Sequence, residues 1–138
     1  MNGDVVQHDL NKNDLAQSVR NTLLAKCSDT QGSKITRVGL EEHAVELIIG
    51  QHFLRIESEW SYFNPAGIKI DSDIETDKRP NFELWKCVGH TVVEIELKDE
   101  PFSNLYLTLD NGHKLVVFGN DDDYEDWDFD GFVCMGKI

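Results

Sequence analysis

The spacing of apolar positions changes near residue 34. Before it, Leu15, Ala16, Val19, Leu23, Leu24 and Cys27 recur at helical intervals, which predicts one amphipathic helix capped by Asn13 or Asp9. Residues 1–8 carry no period and are expected to be frayed, and the polar stretch 28–33 (SDTQGS) ends the helix in a loop. Such a helix covers one face of a sheet. From Lys34 onward the period is two, and residues 35–38, 44–49 and 52–59 read as strands, the last two joined tightly at Gly50-Gln51. Leu54, Ile56 and Trp60 point one way and Phe53, Arg55, Glu57 and Glu59 the other, the alternation of a half-wet antiparallel sheet.

Further along, 67–70 reads as a short strand and 71–80 (DSDIETDKRP) as a long polar loop. Two strands follow, at 82–88 and 91–97, separated by Gly89-His90. The strongest local signal is Leu105, Leu107 and Leu109 alternating with Tyr106 and Thr108, then Asn111-Gly112, then an apolar return over 114–118. A two-residue type I′ turn there would pair Leu109 with Lys114, Leu107 with Val116 and Leu105 with Phe118 on one face. Thr108 with Leu115 and Tyr106 with Val117 would share the other. Both faces would then be apolar, which puts this hairpin at the centre of the domain. The pattern as a whole predicts an α+β chain, mainly antiparallel β, a sandwich or roll of about 7–9 strands with one helix packed on it. Residues 1–138 are expected to form a single domain.

Composition adds a strong charge. The formal net charge of −13 at pH 7 argues against nucleic acid and anionic membrane as direct partners, and a basic protein is the natural complement. No stretch has the length and apolarity of a membrane span and no signal peptide is evident, so a cytoplasmic protein is expected. Cys27, Cys87 and Cys134 leave at least one thiol unpaired, which fits a reducing compartment and buried, hydrophobe-like cysteines.

Negative charge is densest over residues 121–130 (DDDYEDWDFD), where seven carboxylates surround Tyr124, Trp127 and Phe129. Neighbours about 6 Å apart in water repel by roughly 0.7 kcal/mol per pair, a cost that Lys and Arg side chains of a partner would relieve. Two readings stand side by side: an interaction surface, or a last strand with one buried face. Asp126-x-Asp128-x-Asp130-Gly131 also matches the opening of a calcium-binding EF-hand loop, but the twelfth position is Lys137 where a bidentate Glu is required. Cys87-x-x-His90 is half of a zinc site, whose mates would have to come from His43, His52, His113 or Cys134 at no recognised spacing. There is no G-x-S-x-G elbow, glycine-rich phosphate loop or H-E-x-x-H, so neither enzyme chemistry nor a cofactor is expected.

The run from Val88-Gly89 through Leu105-x-Leu-x-Leu-Asp110-Asn111-Gly112-x-x-Leu115-x-Val117 to Glu125-x-Trp127 resembles a group of small β-rich bacterial domains. Many of these are immunity proteins of polymorphic toxin and contact-dependent growth inhibition systems. The helix and the polar loop are not part of the likeness. It implies a small cytosolic protein that binds one cognate toxin domain, often a basic nuclease, and blocks its action. In that role, by charge and position, Asp121, Asp122, Asp123, Glu125, Asp126 and Asp128 would stand in for phosphates, with Tyr124 and Trp127 as apolar anchors. The competing reading is a small regulatory or ligand-binding domain, calcium-responsive through the same carboxylates.

Overall fold

The computed structural model describes residues 3–41, 43–73, 82–98, 104–119 and 125–135. A helix, α1 (Gly3–Thr30), starts well before the expected cap and takes in residues expected to be frayed. Its inward positions are Leu23, Cys27 and Thr30, all buried, with Val19 partly buried one turn earlier. Leu24, counted into the stripe by spacing, is turned outward and is 39% exposed. The helix stops where Gly32 takes the left-handed conformation (φ 86°), as a helix C-terminus favours.

Ten strands follow, β1 (Ile35–Leu40), β2 (Val45–Ile49), β3 (His52–Ile56), β4 (Trp60–Phe63), β5 (Lys69–Ser72), β6 (Val92–Lys98), β7 (Asn104–Leu109), β8 (Lys114–Val117), β9 (Glu125–Phe129) and β10 (Phe132–Met135). They form two antiparallel five-stranded sheets, one in the order β1-β2-β3-β9-β10 and the other β5-β4-β8-β7-β6. The class is therefore the expected α+β, mainly antiparallel β with one helix packed on it. Buried residues of both sheets, of α1 and of a short 3-10 turn make one continuous core. Each sheet contributes by alternation: Val45, Leu47, Ile49, Leu54 and Ile56 face inward from one, and Leu105, Leu107, Leu109, Leu115 and Val117 from the other.

Several elements differ from the sequence expectation. The third strand ends at Ile56 rather than 59, and the chain crosses over Glu57, Ser58 and Glu59 to begin the second sheet. Ile56 and Trp60 both face the core, as alternation requires, but from different sheets. Asp71 and Ser72 close β5 instead of opening a loop, and 74–80 lies outside the described residues. The span 82–88 is not a strand: it holds the 3-10 turn Leu84–Cys87. The buried Asp71 carboxylate accepts the N–H groups of Glu83 and Leu84, each at 2.9 Å, and so satisfies donors that the turn leaves free.

The main hairpin is out of the expected register by one residue. Leu105 faces Val117, Tyr106 faces Val116, Leu107 faces Leu115 and Thr108 faces Lys114. Among the described residues only Asp130 is a non-glycine with positive φ, so Asn111 is not in the left-handed form a type I′ turn needs. Asp110 and Asn111 instead make an ordinary turn closed by Gly112 N–H to the Leu109 carbonyl (2.9 Å), and Gly112 alone swings to φ 86°. The loop gains one residue. A slip of one exchanges faces, so all five leucine and valine positions facing the core come from one side and Tyr106, Thr108 and Lys114 look out. The hairpin is amphipathic, not apolar on both faces.

Candidate functional site

The acidic run divides into parts with different fates. Asp121, Asp122, Asp123 and Tyr124 lie outside the described residues. Glu125 and Asp126 open β9, with Asp126 taking up the bulge between the Glu125–Met135 and Trp127–Cys134 pairs. Trp127 is 1% exposed and Phe129 fully buried, each opposite an inward residue of β3, Ile56 and Leu54. Trp127 is thus a core residue and cannot serve as the apolar anchor expected of it. Period-two alternation explains this, since β9 inserts between β3 and β10 and must send every second side chain inward. Of the two readings of the run, the strand with one buried face describes 125–129.

Asp128 is 8% exposed, sits across from Arg55 on β3, and accepts the Gly131 N–H at 3.3 Å. Around Arg55 lie three further carboxylates. Glu41 meets Nη2 and Glu57 meets Nε, both at 3.0 Å, and Glu46 meets Nη1. Glu41 is held below the usual carboxylate range, chiefly by its bond to Arg55, and Arg55 is shifted up in turn by Glu41 and Glu57. The outward face of the β1-β2-β3-β9-β10 sheet therefore carries three carboxylates on one guanidinium, with Asp128 at the next register position and Arg37, Ile48 and Phe53 forming the adjoining row. The outward face of the other sheet is balanced: Glu94 and Glu96 stand with Lys98 and Lys114, and Lys98 lies 3.6 Å from Glu96 and 4.8 Å from the Tyr106 ring.

Asp130 ends the run differently. Asp130-Gly131 (φ 55° and 83°) is a two-residue turn joining Phe129 to Phe132, both in the left-handed conformation that type I′ demands. Its carboxylate accepts Lys26 Nζ (2.9 Å) and the Phe53 N–H (2.6 Å), and His52 Nδ1 lies 2.6 Å away. Burial pushes the Asp130 carboxyl up, but the bonds from His52, Phe53 and Lys26 outweigh it and hold the group below its ordinary value. The D-x-D-x-D-G match is accordingly a strand and a tight turn, with its last carboxylate already bonded to protein donors. A calcium loop would need that carboxylate free and the backbone wrapped round the ion.

The half zinc motif also separates. Cys87 is buried at 1% exposure with its thiol pushed up to about 12 by burial, while His90 is on the surface. His90 Nδ1 lies 2.7 Å from Asp110 and its Nε2 3.4 Å from the Asn111 amide. Cys27 is buried as well and is pushed up to about 11, so Cys27 and Cys87 are both inert core thiols. Among the described residues no three His, Cys, Asp or Glu side chains converge as metal ligands. No described helix is long and apolar enough to cross a membrane. An open groove follows α1 past Gln17, Ser18, Asn21, Thr22 and Ala25, so its described lining comes from a single helix face.

One feature of the surface had no signal in the sequence reading. Trp85 is 54% exposed on the 3-10 turn, whereas Trp60 and Trp127 are 2% and 1% exposed. The three-residue repeat of such a turn was the missing clue: Leu84 and Cys87 face in, which leaves Trp85 outward. Comparison with protein-family models, with curated proteins and with solved structures finds no match for this chain.

Proposed function

We propose that this chain is a binding protein of the immunity type, which captures and neutralises a basic toxin domain, a nuclease being the chemistry best suited. The observation that supports the reading is the asymmetry of charge: −13 overall, with Glu41, Glu46 and Glu57 gathered on the Arg55 guanidinium on one sheet face and balance on the other. Such a face attracts Lys and Arg side chains from a distance, raises the encounter rate and fixes orientation, while repelling nucleic acid. Asp121, Asp122, Asp123, Tyr124, Glu125 and Asp126 remain part of the proposed surface. Asp128 and Trp127, 8% and 1% exposed, leave it. The role is played without catalysis or cofactor, in the cytoplasm where an incoming toxin acts.

The test is co-expression with the basic carboxyl-terminal domain of a secreted effector encoded beside this chain. Relief of growth arrest and a 1:1 complex are expected. Association should slow about tenfold or more as salt rises from low to physiological strength. Glu41→Gln with Glu57→Gln should slow it further at low salt. If that variant, still folded, associates as fast as the parent, the capturing surface is elsewhere.

A further inference from the structure

A cationic partner held by charge alone is steered but weakly anchored, and the anchor expected at Trp127 is inside the core. The fold supplies another. The turn bearing Trp85 is fixed from several sides: Leu84 and Cys87 are fully or almost fully buried, and Asp71 binds the N–H groups of Glu83 and Leu84. Val88 N–H bonds the Trp85 carbonyl (3.1 Å) and Gly89 N–H bonds the Ile35 carbonyl (2.7 Å), which ties the turn to the start of β1. Lys86 is committed to Glu83 at 2.6 Å, so the only cation on the turn is already neutralised. Trp85 and its neighbour Val88, 54% and 42% exposed, thus stand out from a stiff support. Holding an indole in water forgoes the gain of burying it, and a side chain presented rigidly loses little entropy when a partner covers it.

We infer that Trp85, with Val88, is the apolar anchor of the interface, and that its occupant is the Lys- and Arg-rich surface of the partner proposed above. The inference rests on that reading. An indole face takes a guanidinium or ammonium group by cation–π attraction, which suits a basic occupant. A second copy of the chain does not suit it, because each copy carries −13.

The test is acrylamide quenching of the indole fluorescence with a polyarginine peptide as probe at low salt, and polyglutamate as control. Buried Trp60 and Trp127 contribute little quenching, so the slope reports Trp85. Bound polyarginine should lower that slope about twofold or more. Trp85→Ala should weaken peptide binding about two- to fivefold, the range of an exposed cation–π contact, while Ile68→Ser, at another exposed apolar position, leaves it unchanged. Polyarginine that binds both forms equally and leaves the slope untouched would overturn the role of Trp85 and spare the cationic-partner reading. No binding to the wild type, or equal binding of polyglutamate, would remove both. A slope that falls with protein concentration alone would make the occupant a second copy and overturn the inference. The quenching measurement uses the unaltered chain, so it holds even if Trp85→Ala does not fold.

Discussion

Trp127 and Trp85 have exchanged the places their neighbourhoods suggest. Trp127 stands among seven carboxylates in ten residues and is 1% exposed; Trp85 stands in Leu-Trp-Lys-Cys-Val and is 54% exposed. Local polarity says the reverse. The difference lies in periodicity and neighbours: β9 is threaded between two strands, so parity sends Trp127 in, whereas a 3-10 turn repeats every three residues and spends Leu84 and Cys87 on the core. Composition reports average environment, and the backbone period decides which side chain receives it.

The contrast can be broken by substitution. Trp127→Ala should cost about 3–5 kcal/mol in urea denaturation, because it empties a fully enclosed site between Ile56 and the rest of the core. A loss below 1 kcal/mol would mean that the side chain is not enclosed. Asp71→Ala should cost about 1–3 kcal/mol, since the Glu83 and Leu84 N–H groups lose their acceptor. It should also loosen the support of Trp85, visible as a lower indole anisotropy.

Asp130→Asn should cost about 1 kcal/mol at pH 7, moderated by the 21% exposure of the side chain. The carboxyl is held below its ordinary value, so its contribution is full above the unfolded value of 3.8 and is lost as pH falls through the folded one. The gap between parent and variant should therefore close as pH falls through and below 3.8. A gap that persists well below 3.8 would mean that the bonds to Lys26, His52 and Phe53 do not stabilise the carboxylate. Smallest of all, Trp85→Ala should move stability by no more than about 0.5 kcal/mol, as an exposed side chain does. A change near that of Trp127→Ala would show that the turn buries it.

Much of the fold was legible because alternation is a local property. The strands at β2, β3, β6, β7 and β8, and the tight turn at Gly50, where φ is 60°, follow from period two and glycine alone. The hairpin register was not legible. Asn-Gly favours type I′, but Asp110-Asn111-Gly112 also fits a turn with one left-handed residue, and Gly112 packs toward Pro65 of the β4–β5 connection, a contact no local rule contains. The type I′ turn lies instead at Asp130-Gly131, at the end of the D-x-D-x-D-G run. There Lys26 and His52 arrive from far along the chain, and spacing cannot announce them. The same holds for the carboxylates around Arg55: the alternation put Arg55 on the wet face, but the strand pairing chose its company.

The pairing of Leu54 with Phe129 carries a consequence for biosynthesis. As the chain leaves the ribosome, β1, β2 and β3 can zip together at once, yet the far side of β3 waits for β9, some seventy residues later. During that interval a nascent hairpin rich in Ile and Leu shows a bare backbone rim, an invitation to mispair with another molecule. Arg55, in the middle of that rim and ringed by Glu41, Glu46 and Glu57, is the kind of charged position that makes a stranger's strand an unwelcome fit until β9 arrives.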